Sequence, residues 1–300
     1  MKPLSPKTLE KKYAELGLAQ KTIDLVKDYF LCFSNLYGVI SVREAWNIFR
    51  EYEGIWILRK KDFVAFSGIV QREAGLPYTV FELKEIYTEE TTEDPADRLI
   101  VNNRLIGTGY YRYALIYNTV DRQMDKPYYM PAEKRDFLRN VEDQFFLTPD
   151  GKRMVLFLGN LKTDGKYRNY HGEVCGEILD LDGNPVAGKR LTDFVFYTQI
   201  EQFEIDNSKS EAKKEKLRQE YKTTALDKIL SHLFTDMQTG SALQQLTPSE
   251  LLRFLVDFLS RDLGVELSMA AMERFLELYT NLNNHSHLWQ NCGWRPDRMM

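Results

Sequence analysis

His285, His287 and Cys292 fall close together near the end of the chain. Imidazole and thiolate are the usual ligands of zinc, and an open catalytic site needs three ligands and a water. The triplet is therefore a metal candidate, and a metal-dependent hydrolase one possible activity. Against it, no fourth ligand or general base stands nearby in sequence, and the spacing matches no zinc signature. The competing reading is mechanical. Asn283, Asn284 and the two histidines would serve the carbonyl end of a preceding helix. Trp289 and Trp294 would then fold back over a helical hairpin and close a C-terminal body.

Other constellations divide in the same way. His171, Glu173, Cys175 and Glu177 alternate, so on a strand they share one face. That face is either an acid–base or metal set, or the solvent side of a hairpin presenting Val174 and Ile178 behind it. Asp180-x-Asp182-Gly183-Asn184 carries the opening of a calcium loop without its later bidentate Glu, and reads better as turn residues. Cys32 sits in an apolar helix as a core thiol, and His232 between Leu230 and Leu233 as a half-buried helix residue. No G-x-S-x-G, phosphate-loop, H-E-x-x-H or nucleophilic Cys/His signature is present. The residues name no catalytic set and no cofactor.

The elements that would carry these residues are legible in part. Residues 7–17 and 20–37 read as helices, the second with Ile23, Val26, Phe30, Phe33 and Tyr37 at helical spacing. Ser41 and Glu44 form a capping box opening a short helix with Ala45, Trp46 and Phe49 inward and Gly54 as its stop. A helix from Lys61 to Ala74, a strand from Tyr78 to Tyr87, a polar loop and a strand at Arg98–Val101 follow. This is the element order of a winged-helix module. That fold often places its third helix in a DNA groove, where Arg59, Lys60, Lys61 and Arg72 would be the nucleic-acid contacts. The wing position, however, carries Glu85, Glu89, Glu90, Glu93, Asp94 and Asp97. Phosphate contacts dominate affinity for DNA, and an acidic wing repels them.

Leu105-Ile106-Gly107-Thr108-Gly109 lacks the third glycine of a phosphate-binding turn. Tyr110 to Val120 fits helix or strand, and Ala132 to Phe146 reads as a helix. Met154-Val155-Leu156-Phe157-Leu158 is a buried-strand candidate, and 172–181 with 189–200 a hairpin across Asp182–Gly188. A long helix opens near Asn207. Its first half, Ala212–Lys222, is nearly all charged: a solvated face, or an arm for a partner. Its second half buries Leu226, Ile229, Leu230, Leu233, Phe234 and Met237. Thr247 caps the next helix, with Pro248 at its first position, Glu250 completing a box and Leu246 stapled to Leu251. Its stripe is Leu251, Leu252, Leu255, Phe258 and Leu259. Gly264 ends it, with Val265 folding back. Ser268 caps the last helix, whose inner face is expected to carry Met272, Phe275, Leu276 and Tyr279.

Lys126-Pro127-Tyr128-Tyr129-Met130-Pro131 and the helix after it resemble the "PYYIP" segment of a group of uncharacterised bacterial proteins, mostly from Firmicutes. Asn283-Asn284 … Leu288-Trp289-x-Asn291-x-Gly293-x-x-Pro296 resembles the "NN…LW.N.G..P" tail of that group, and Tyr37-Gly38-Val39-Ile40 its N-terminal helical region. Many of those proteins also carry a SEC-C zinc motif. The three cysteines here, Cys32, Cys175 and Cys292, are too far apart in sequence to build one. The resemblance implies a bacterial or mobile-element setting and no particular activity.

Composition completes the frame. Apolar residues make up 43% and charged residues 28%, ordinary for a soluble domain, with 17 Phe and 17 Tyr for core or interface. A net charge of −4 supplies no general attraction to nucleic acid or anionic membrane. The first residues hold no apolar core like a signal peptide, and three isolated cysteines suit a reducing cytoplasm. The expected fold is a mainly helical α+β protein. It has a winged-helix-like domain over 1–107, a mixed region with a small antiparallel β insertion over 108–206, and a helical bundle with a Trp-rich tail over 207–300. The expected function is non-enzymatic binding of another protein or of a second copy, in the cytoplasm and away from the membrane. A DNA-binding regulator and a metal-dependent hydrolase are the alternatives.

Overall fold

The structure, a computed structural model, describes residues 3–87, 93–107, 112–142, 148–239 and 248–299. The fold is mainly helical α+β, with one three-stranded and one two-stranded antiparallel sheet. It packs as two units. One comprises Met1–Gln144, Gln238–Gln244 and Ser286–Met300; the other comprises Phe145–Met237 and Gln245–His285. The cap at Thr247, Leu246 of the staple, Glu89 and Glu90, the turn at Thr108–Gly109 and the Phe145–Phe146 helix end lie outside the described residues. So do the side chains of Glu250, Leu251 and Leu252.

In the first unit, α1 (Pro6–Glu15) starts where the Ser5 hydroxyl accepts the Thr8 N–H. Helix α2 (Gln20–Tyr37) buries Ile23, Val26, Phe30, Phe33 and Tyr37, the stripe that helical spacing predicts. Gly38 ends it at φ 71, and β1 (Val39–Ser41) follows. The Ser41 hydroxyl accepts the Glu44 N–H at 3.1 Å and opens α3 (Val42–Glu53), with Ala45, Trp46 and Phe49 inward. Next come α4 (Lys60–Val70), β2 (Tyr78–Phe81), the short α5 (Leu83–Ile86) and β3 (Leu99–Asn102). The sheet runs β1-β3-β2, so β3 is central: Val101 faces Val39 on one side and Thr79 on the other. The segment whose periodicity fits two readings is helical, α6 (Ala114–Gln123). The helix expected from Ala132 is shorter, α7 (Lys134–Leu138), and continues as a 3₁₀ turn to Val141.

Aromatic rings fill this unit. Phe30, Phe33, Phe49, Phe63, Phe66 and Phe137 are fully buried. Tyr29 meets Phe49 edge-on at 4.8 Å and 70°, the arrangement that ring quadrupoles favour.

The second unit departs further from expectation. Residues 154–158 are not a strand but the core of α8 (Pro149–Gly159). Thr148 caps it through the Gly151 N–H, Pro149 stands at its first position, and Met154 and Leu158, one turn apart, point inward. The hairpin is displaced: β4 (Lys166–Arg168) pairs with β5 (Val174–Glu177), and 189–198 makes single bridges, Lys162↔Arg190 and Val195↔Thr224. Helix α9 (Gln199–Asp206) begins with a reciprocal capping box between Thr198 and Glu201. The long helix expected from 207 is two, α10 (Glu211–Glu220) and α11 (Ala225–Thr239). The break comes where the Thr224 hydroxyl takes the Asp227 N–H and caps a fresh start. Helix α10 buries nothing, whereas α11 buries Ile229, Leu233 and Met237 with Leu226, Leu230 and Phe234.

Helix α12 (Pro248–Arg261) ends at Gly264, φ 58, with the Val265 N–H returning to the Leu259 carbonyl at 2.8 Å. Helix α13 (Met269–His285) has Ser268 at its start, accepting the Ala271 N–H. Its inner face is Phe275, Leu278, Tyr279 and Leu282; Leu276, expected inside, is exposed. It packs on α8, where Phe157 and Phe275 stack at 5.9 Å. No helix among the described residues is long and apolar enough to cross a membrane.

Candidate functional site

Between α3 and α4 the chain presents three consecutive apolar side chains to solvent: Ile55 at 60% exposure, Trp56 at 91% and Ile57 at 46%. The local sequence produces this display. Gly54 adopts φ 72 and donates to the Arg50 carbonyl, ending α3 in a conformation other residues resist. Leu58, only 3% exposed, pulls the chain back into the core before α4 begins at Lys60. The three residues between these anchors form an outward turn. Singly exposed apolar residues are ordinary; a contiguous set of three with an almost fully exposed indole is not. Its signal in the sequence is three large apolar residues between a helix stop and a helix start.

Charge surrounds the turn on one side. Lys60 and Lys61 are exposed, and Arg59 is exposed but tied to Asp62 at 2.7 Å. Arg72, the fourth expected nucleic-acid contact, lies apart. Its carbonyl takes the Leu4 N–H, and its Nε is buried without a hydrogen-bond partner. The middle of α4 is itself covered: Arg98 reaches the Val64 carbonyl and the Ser67 hydroxyl while pairing with Glu82 at 2.8 Å. The acids after β2 are similarly engaged. Arg43 pairs with Asp94 at 2.7 Å and Asp97 at 2.8 Å. The Ala96 N–H and Arg43 together hold the Asp94 carboxyl below its usual range.

The tail closes the first unit instead of the helical hairpin. Trp289 is fully buried and gives its indole N–H to the Asn35 carbonyl at 2.8 Å. Its ring lies against Gly38, where a Cβ would stand 2.5 Å from the nearest ring carbon. Gln123 bridges the carbonyls of Tyr37 and Trp289 at 2.7 and 2.8 Å. Trp294 donates to the Pro127 carbonyl at 2.9 Å, and the Tyr129 N–H to that of Cys292. Tyr37–Ile40, Lys126–Leu138 and the tail therefore meet in one body. Each polar group just named is matched, which is how a buried seam is kept.

The metal candidates have separate engagements. His287 stacks on Tyr129 at 4.8 Å and bonds the Gly293 carbonyl through Nδ1; burial lowers its pKa and favours the neutral ring. Cys292, in a left-handed conformation, is buried with its thiol pushed up to about 11. His285 is exposed on α13 and faces Asp150 of α8 at 2.9 Å. Among the described residues no three His, Cys, Asp or Glu side chains are placed to hold a metal ion.

The β5 set is likewise dispersed. His171, Glu173 and Cys175 are exposed, and so is Val174, which the sequence assigns to an inner face. Asp180 accepts the N–H groups of Asp182 and Asn184 and pairs with Lys189 at 3.0 Å, so it builds a turn. No family model matches this chain, and no curated protein or solved structure matches it either.

Proposed function

We propose that this is a non-enzymatic binding protein whose contact surface is the Ile55-Trp56-Ile57 turn, mounted on a winged-helix module formed by α2, β1, α3, α4, β2 and β3. The carrying observation is the 91% exposure of Trp56 between two large exposed isoleucines. An indole covered by a partner hides about 150–250 Å². At ~25 cal/mol per Å² that is a gross gain of about 4–6 kcal/mol, the scale of an interface hot spot. The exposed Lys60 and Lys61 beside it would select an acidic surround on the partner. The order β1-β3-β2 supports the winged-helix reading of the scaffold.

DNA fits this surface less well. Of the four expected contacts only Lys60 and Lys61 stand exposed and unpaired among the described residues, and the flank is acidic. A photo-reactive phenylalanine analogue at position 56 tests the proposal in the full chain. A discrete protein cross-link is expected there and not from the same analogue at exposed Glu10 on α1. Absence of protein cross-links, or DNA binding that falls steeply with salt, would overturn it.

A further inference from the structure

Resting on that reading of the turn, we infer that its partner is a second copy of this chain. The receiving site is a groove on the second unit, between β4–β5 and α9. The groove holds about 390 Å³, within the ~300–1,000 Å³ of sites that enclose small ligands, and an indole fits such a space. Its apolar walls are Tyr167, Leu179, Phe196 and Phe203. Phe203 is 68% exposed on α9, a large ring left uncovered as Trp56 is.

The groove is built, not incidental. Glu201 caps the start of α9 and binds Lys228 of α11 through both oxygens, at 2.8 and 2.9 Å. Ile205 is buried beneath. These contacts fix the helix so that Gln202, Phe203 and Asp206 face the opening.

Charge identifies the occupant. Every ionisable carboxylate or cation in the lining is acidic: Glu177, Asp206 and Asp262, with no Lys or Arg among the twelve lining residues. Asp262 is already tied to Arg261 at 3.0 Å, while Glu177 and Asp206 have no cation within ion-pair distance among the described residues. An apolar knob with lysines at its base is the complement. The turn is that shape: Ile55-Trp56-Ile57 followed by Lys60 and Lys61. Because turn and groove are different surfaces, the contact is heterologous, and repeating it gives a ring or an open chain of subunits.

Sedimentation velocity of the full chain tests this, with Trp56→Ala breaking the turn and Phe203→Glu breaking the groove. Both positions are exposed, and guanidinium midpoints unchanged at a concentration below the onset of association confirm that each variant is folded. The wild type should sediment faster as concentration rises from micromolar to sub-millimolar. Either variant alone should stay monomeric, with association weakened by roughly thirtyfold or more, the loss of one hot spot. An equimolar mixture of the two variants should form a species of two chains and nothing larger, one intact turn seated in one intact groove. A wild type monomeric throughout, a variant that still associates alone, or a mixture that stays monomeric overturns the inference. If the wild type is monomeric while the position-56 cross-linker captures a different protein, only the self-contact falls. If assembly survives Trp56→Ala, the turn itself is not the contact surface.

Discussion

Trp289 and Trp56 belong to the same unit and are put to opposite use. Trp289 is fully buried, its N–H given to the Asn35 carbonyl and its ring pressed on the bare Cα of Gly38. Trp56 stands 91% exposed in a turn held at its ends by Gly54 and Leu58. The chain can afford the second because the first unit holds an aromatic core that does not draw on it. An indole that the fold does not use is free to serve an interface. The polar groups around Trp289 are committed in the same way. The imidazole and thiol that accompany Trp289 are occupied with carbonyls and rings, so the tail acts as a seam.

The largest expected effect falls on the seam. Trp289→Ala should cost about 3–5 kcal/mol, the usual range for deleting a buried aromatic, read as a lowered guanidinium midpoint. Gly38→Ala comes next. Its Cβ would meet the Trp289 ring at 2.5 Å and its φ is 71, so overpacking and left-handed strain together should cost about 2–4 kcal/mol. A Gly38→Ala protein as stable as wild type would mean that the seam is looser than described.

A buried polar group without partners sharpens the comparison from the other unit. One Asp236 oxygen on α11 is buried with no hydrogen bond, and burial raises the carboxyl to about 6 from 3.8. The folded state therefore holds a proton that the unfolded state has released between about pH 4 and 6. Stability should fall as pH rises through that window and stay lowered above it. Asp236→Asn should remove that slope and add about 2 kcal/mol at neutral pH, with little change near pH 4. A destabilised Asn variant at pH 7 would show that the charge is used, not merely tolerated.

These contrasts mark how far the residues alone could be read. Helix starts with a hydroxyl cap and a glycine stop were legible, as at Ser41–Gly54 and Gly264, because both signals are local. The stripe of α2 was legible through its period. Residues 154–158 were not. Five apolar residues in a row carry no period, and the decisive signal, Thr148-Pro149-Asp150, lay just upstream. The break at Tyr221–Thr224 depended on a threonine hydroxyl competing for backbone, which a charge pattern does not reveal.

In sequence the tail reads as a closure over the helical hairpin, whereas its hydrogen-bond partners lie in the first unit. Trp289 bonds a carbonyl 254 residues away, and no local pattern encodes so distant a partner. The exposed turn is hard to read for the converse reason: three apolar residues in sequence suggest burial, and only the anchors at Gly54 and Leu58 turn them outward.

The smallest stability effect is the most telling. Trp56→Ala touches an exposed side chain, and changes at such positions usually stay within about 0.5 kcal/mol. Guanidinium unfolding of Trp56→Ala beside Trp289→Ala measures the division of labour between the two indoles directly. A midpoint unchanged for position 56 and sharply lowered for position 289 is the expected result. A Trp56→Ala protein that unfolds as early as Trp289→Ala would make the turn part of the fold and leave the proposed binding surface without its anchor.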